Sequence, residues 1–218
     1  MTLKKTRIAF LFITVLVACS SLAQQPQPEP RNVWSESQRP LLNSERIRQQ
    51  FGSYGIEVVK QGDLLRVSNL YSSDNGDRTM RTLAVVLFSE TLPLPLQEVH
   101  KEIVGGHSIG ETFKSAGWEV EKINVYFGEL APDADFDGVY AAMGDIAAVT
   151  LAVHIYRLFV SKDESRYLYS TIAEIHHPDY QDLTDLHSNY GADVMMQEMP
   201  SRDIAIVLED VIEVMKQF

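Results

Sequence analysis

The chain has a single cysteine in 218 residues, at position 19. That excludes a disulfide framework and any zinc finger built on cysteines. Basic residues are also scarce: 19 Lys and Arg stand against 30 Asp and Glu, for a formal net charge of −11. A general nucleic-acid binder needs a basic face to attract phosphates, so that class is excluded too. Long apolar runs are missing. The run Ile8 to Val17 is broken at Thr14 and falls short of the about 20 residues that a membrane-spanning helix requires. No internal repeat of fixed period is present. What the chain does have is 45% hydrophobic residues, enough for the core of one domain.

The first stretch reads as a secretory leader. Lys4, Lys5 and Arg7 precede the apolar run, which ends in Leu16-Val17-Ala18-Cys19. That ending resembles the lipobox of bacterial lipoproteins. The resemblance implies cleavage of residues 1–18 and acylation of Cys19 by chains such as palmitate, which anchor the protein to a membrane. Ser20, standing where Asp would retain the inner membrane, implies the outer membrane of a Gram-negative bacterium, facing the periplasm. Ordinary cleavage after Ser21-Leu22-Ala23 is the alternative. Loss of residues 1–18 removes three of the 19 basic residues and takes the net charge from −11 to −14. Anionic head groups repel such a domain, so it is expected to stand off the membrane. Residues 19–42 supply the tether. They include Gln24, Gln25, Pro26, Gln27, Pro28, Glu29 and Pro30, a composition of extended, solvated chain in which Trp34 is the exception.

Residues 43–218 read as one α+β domain. A short helix capped by Asn43 or Ser44 runs to Phe51 and ends at Gly52. Strands follow at 55–59, 64–71 and 78–88, separated by Gln61-Gly62-Asp63 and by Ser73-Asp74-Asn75-Gly76-Asp77. Leu83 to Phe88 is apolar on both faces, which predicts a central strand. Leu96, Val99 and Ile103 carry helical spacing, and a second helix is expected at 108–116. Strands are expected at 118–127, 146–160 and 166–175, with an acidic loop or loose helix at 131–144. A last helix is capped by Ser201 and carries Ile204, Val207, Leu208, Val211, Ile212 and Met215 on one face. Tight turns between strands predict an antiparallel sheet of about six strands with helices packed on one face.

Three short patterns could carry chemistry. Gly106-His107-Ser108-Ile109-Gly110 fits G-x-S-x-G, in which a strand-to-helix turn exposes a nucleophilic serine. Asp182 or Asp185 with His187 would complete a triad in the hydrolase order. Against this, the segment before Ser108 has helical spacing, and the simpler reading is a helix–turn–helix. Asp133-Ala134-Asp135-Phe136-Asp137-Gly138 matches the start of a calcium loop through Asp133, Asp135 and Asp137. Its closing glutamate is missing, because Gly144 stands at the twelfth position. His176-His177-Pro178, with Glu174 upstream, offers imidazoles and a carboxylate to a transition metal. Only Glu174 and His176 share a strand face, so a strand end is the plainer reading. His100, His107 and His154 have structural readings alone.

The order of segments adds a family resemblance. Arg81-Thr82 opens the apolar strand, a Pro-Leu-Pro segment and a helix follow, and Ser108-Ile109-Gly110 precedes Phe113. Tyr156-Arg157-Leu158-Phe159 then begins a hairpin that returns through Ile172-Ala173-Glu174-Ile175 to a proline. This order resembles chorismate pyruvate-lyase and related ligand-sensing domains over roughly residues 55–180. The resemblance implies a six-stranded antiparallel sheet with helices over one face and a buried pocket. It further implies that Arg81 clamps a carboxylate, with Arg157 nearby, and that Glu174 completes the site. Tyr156-Arg157 stands where that family has an arginine pair, and His176-His177 where it has an aliphatic residue. Three functional classes therefore stand: a lipoprotein whose domain binds a small anionic ligand or a partner without catalysis; an enzyme, lyase-like or esterase-like; and a structural lipoprotein that holds envelope proteins.

Overall fold

The computed structural model describes residues 41–144, 146, 149–190 and 201–217. The expected leader, Cys19 and the expected tether up to residue 40 lie outside the described residues, and Leu42, expected to end the tether, is instead buried in the domain at the N-cap of α1. Helix α1 spans Asn43–Phe51 and precedes strands β1 (Gly55–Gln61), β2 (Leu65–Asp74) and β3 (Asp77–Phe88). Helices α2 (Leu94–Val104) and α3 (Ile109–Ser115) lead to β4 (Glu119–Leu130). A 3-10 turn at Ala134–Phe136 runs into α4 (Asp137–Met143), followed by β5 (Leu151–Lys162) and β6 (Ser165–His176). Helices α5 (Leu183–Tyr190) and α6 (Ser201–Lys216) complete the described chain.

The six strands form one sheet in the order β1-β2-β3-β6-β5-β4. Every neighbouring pair is antiparallel. Two three-strand meanders thus meet at the β3–β6 seam, and the α+β class and the strand count are as the turns predict. Local chemistry sets the corners. Asn75 and Gly76 both take positive φ, 51° and 96°, at the β2–β3 turn. That geometry matches the right-handed twist of the flanking strands, and Asn-Gly adopts it readily. Gly52, at φ 75°, closes α1 in the left-handed region.

Strand β3 is central, paired to β2 on one side and β6 on the other. Its residues alternate between two buried faces. Leu83 and Val85 join a core with Val153, Ile155, Ala173 and Ile175. Val139 and Met143 of α4 and Val211 and Met215 of α6 cover that face. Val86 and Phe88 point to the other face, where Leu96, Val99 and Ile103 of α2 and Phe113 of α3 cover them. Ile47 of α1 sits on the same side, against Leu70 and Ala84. The helices expected over one face are therefore α1, α2 and α3, and α4 and α6 add a cover on the second. The acidic 131–144 segment is the source of that addition: Val139 and Met143 lie one helical turn apart and are both buried.

Candidate functional site

Between the sheet and the roof of α1, α2 and α3 lies a cavity of about 70 Å³. That is several times the space one ordered water needs. Leu42, Asn43 and Ser44 at the start of α1 and Ser108 to Gly110 at the start of α3 close it from above. The floor comes from five strands: Ile56, Arg66 and Ser68, Val86, Tyr156, and Ile172 with Glu174 all line it. Lys122 reaches in from β4.

Register explains why these side chains meet. Ser68 pairs with Ala84, Ala84 with Glu174, and Glu174 with His154, so one row runs across the sheet. The next row joins Arg66, Val86, Ile172, Tyr156 and Asn124. Residues two apart on a strand share a face. Arg66, Glu174, Tyr156 and Lys122 therefore project to the same side from four strands.

The polar groups here are buried. Arg66 is 1% exposed. Its Nη1 donates to the carbonyls of Ile103 and His107 at 2.8 and 2.9 Å, Nη2 to Gly106 O at 3.4 Å, and Nε to Ser68 Oγ at 2.8 Å. It thereby ties the α2–α3 corner to β2. No carboxylate among the described residues pairs with it. Burial pushes the guanidinium below its usual range, and the nearby Tyr54 and Tyr169 phenols partly offset this. Lys122 Nζ makes no hydrogen bond. It lies 3.7 Å from Glu174 Oε2 and 4.2 Å from the centre of the Tyr156 ring. Glu174 is 3% exposed; its Oε1 accepts from Tyr156 O–H at 2.9 Å, and its Oε2 accepts nothing. Burial first, then the Glu174 charge, pushes the Tyr156 phenol up, so it stays a donor. Tyr54 rises to about 12, chiefly through burial. Two buried cations thus face one buried carboxylate around a single cavity. A surplus buried cation, beside a Lys122–Glu174 ion pair held at 3.7 Å without a hydrogen bond, is costly and calls for a reason.

A second cluster shares Glu174. His154, Glu174 and His176 bring one ligand atom each to within 4.8 Å of one another, and all three residues are buried. His154 Nε2 meets Asn124 Oδ1 at 2.6 Å, and His176 Nδ1 meets Thr82 Oγ1 at 3.1 Å. Burial lowers both imidazoles, His154 well below its ordinary value and His176 to about 4, so both are neutral.

The sequence-predicted residues are distributed unevenly. Glu174 lines the cavity. Arg81 does not: its guanidinium stacks 3.7 Å from the centre of the Phe51 ring, and Nε donates to Ser72 Oγ. The arginine at the cavity is Arg66, one strand over. Arg157 alternates with Tyr156 and so projects to the opposite face from Glu174. Ser108 does line the cavity, but helix α2 and the Gly105–His107 turn enter it, not a strand. The strand-to-helix elbow that the motif needs is therefore absent at this position. Neither Asp185 nor His187 lines the cavity. Asp182 and Asp185 instead cap α5 reciprocally, each carboxylate accepting the other's backbone N–H at 2.7 and 3.1 Å. The His187 ring packs on Phe127.

Asp133, Asp135 and Asp137 are exposed. Asp133 Oδ1 accepts the Asp135 N–H in a local turn, Asp135 pairs with Lys216 at 3.4 Å, and Asp137 starts α4. These three do not form a ligand cluster; among the described residues, His154, Glu174 and His176 do. His177 Nδ1 accepts the Asp179 N–H at the strand end. Arg66, Lys122 and His154 had no motif to mark them. The available signal was a charged residue within an otherwise strand-like run, and a hairpin register that puts His154 opposite Glu174.

A scan against protein-family models and a search of curated proteins both return no match for this chain.

Proposed function

We propose that residues 43–218 form a binding domain for a small organic anion, carried outside the cytosol on a lipid anchor at Cys19. The observation that supports this reading is the charge around the cavity: Arg66 and Lys122 against Glu174 alone, all buried. A bound carboxylate would give Lys122 Nζ the acceptor it lacks and balance the surplus positive charge. Apolar lining from Leu42, Ile56, Val86 and Ile172 suits a short aliphatic body, as the volume of about 70 Å³ does. The lipobox at Leu16 to Cys19 and the Pro/Gln-rich tether support the membrane anchor and the periplasmic-facing outer-membrane address.

The test is thermal unfolding with acetate and pyruvate against acetamide and pyruvamide. The carboxylates should raise the melting temperature and the neutral amides should not. Lys122→Met should abolish the rise, while Arg81→Ala, outside the cavity, should keep it. Equal responses to acids and amides would refute the reading.

A second reading is catalytic. Glu174 lines the cavity where the resemblance to chorismate pyruvate-lyase puts its acidic residue, and a carboxyl group beside Lys122 could move a proton to a bound substrate. Turnover lost in Glu174→Gln with anion binding retained would establish it.

A further inference from the structure

Three buried lone-pair atoms beside the cavity accept no hydrogen bond and share one chemistry. His154 Nδ1, Glu174 Oε2 and His176 Nε2 are each buried without a hydrogen-bond partner among the described residues. The same three residues bring one ligand atom each to within 4.8 Å of one another, and His154 Nδ1 and Glu174 Oε2 are 3.9 Å apart. Two imidazole nitrogens and a carboxylate oxygen are the donor set that divalent transition metals take in open sites. We propose that His154, Glu174 and His176 bind a single divalent first-row transition metal.

The sheet builds this arrangement. His154 and Glu174 are direct cross-strand partners on β5 and β6, and His176 is two residues beyond Glu174 on the same face. His154 Nδ1 lies 3.9 Å from Glu174 Oε2. Metal bonds to nitrogen and oxygen run about 2.0–2.2 Å, which sets tetrahedral ligand atoms about 3.4 Å apart, so the His154–Glu174 pair needs to close by about half an ångström and a pair at the 4.8 Å limit by more than one. Each ligand has the support that such sites use. Asn124 Oδ1 accepts the His154 Nε2 proton, which leaves Nδ1 as the lone-pair atom. Thr82 Oγ1, itself held by Asn43 Nδ2, faces His176 Nδ1 and leaves Nε2 free to bind. Tyr156 O–H fixes the other carboxylate oxygen. Asn124 sets the His154 tautomer, and all three partners fix orientation. Glu174 and Tyr156 also line the cavity, which supplies an entry path and room for further ligands on the metal. Without metal, Lys122 Nζ stands on the free side of the carboxylate, so the ammonium and the metal compete for Oε2.

The test uses the purified full chain, stripped with a chelator and titrated with Co²⁺. The expected result is one equivalent bound, with a visible d–d absorption band. His154→Asn, Glu174→Gln and His176→Asn should each abolish the band, and His107→Ala, at an exposed turn, should keep it. Asn124→Ala leaves all three ligands in place and should weaken Co²⁺ binding 10- to 100-fold, which keeps the test open if a ligand variant fails to fold. Lys122→Met should tighten Co²⁺ binding while removing the response to carboxylates, which separates this site from the anion reading. Absence of stoichiometric binding to the wild type would overturn the proposal, as would a band that survives His176→Asn.

Discussion

Replacing Arg66 with methionine tests whether a buried cation holds the α2–α3 corner on the sheet. The guanidinium donates to three backbone carbonyls and to Ser68 Oγ. Ile103 O keeps a donor after the change, because Gly106 N–H also reaches it at 2.9 Å. The carbonyls of His107 and Gly106 lose their guanidinium donor. A buried acceptor left unmade costs about 1–3 kcal/mol, and more when the lost donor was charged. Both carbonyls are part-buried, so water recovers some of that cost. Methionine also relieves the expense of burying a charge without a carboxylate partner. The expected net loss is about 2–4 kcal/mol. Arg66→Lys keeps the charge but not the fork, and should recover less than half of it. Urea unfolding read by circular dichroism measures both, with the slope against urea unchanged. A loss under about 1 kcal/mol, or a gain, would refute the reasoning. A gain would also mean that Arg66 is held against stability, as a residue kept for a ligand is.

Other outcomes follow from the same contacts. Phe113 is fully buried, with the Tyr169 ring at 4.6 Å and Trp118 at 6.2 Å, so Phe113→Ala should cost about 3–5 kcal/mol by urea unfolding; a cost below 1 would contradict its place in the core. In chelator-treated protein, His176 has a folded pKa of about 4 and His154 is lowered too, first by burial in both cases. The unfolded chain titrates near 6.5 and takes up protons that the native state refuses, so stability should fall as pH drops from 6.5 toward 4. His176 alone accounts for about 2 kcal/mol between pH 7 and 5, and a flat profile over that window would contradict its burial as a neutral ring. Cys19→Ser should move the protein from the membrane fraction to the soluble fraction; retention in the membrane would remove the lipid anchor.

Much of the fold was written in local signals. Asn75-Gly76 announced the β2–β3 turn, and the two-sided apolar run at Leu83 to Phe88 announced the central strand. Helix α5 was missed because Leu186 and Tyr190 alone mark its buried side, while Ser188 and Asn189 weaken its helical propensity. Its capping aspartates resembled a catalytic acid instead. Helix α4 was half-seen, because a short acidic segment hides the pair Val139 and Met143. The site was less legible than the fold for a physical reason. Glu174 and His176 share a strand face, which alternation alone shows. His154 joins them through cross-strand register, and Arg66 and Lys122 join the cavity from opposite halves of the sheet. Arg81 drew attention through its neighbours in sequence, yet it stacks on Phe51.

Calorimetric titration of pyruvate and pyruvamide into wild type and Lys122→Met tests the anion site most directly. Pyruvate should bind the wild type, and the variant should bind it at least tenfold more weakly, since a lost charge-assisted contact is worth about 1.5–3 kcal/mol. Pyruvamide should bind neither. Pyruvate affinity unchanged by Lys122→Met, or pyruvamide bound as tightly as pyruvate, would contradict a cavity built for negative charge.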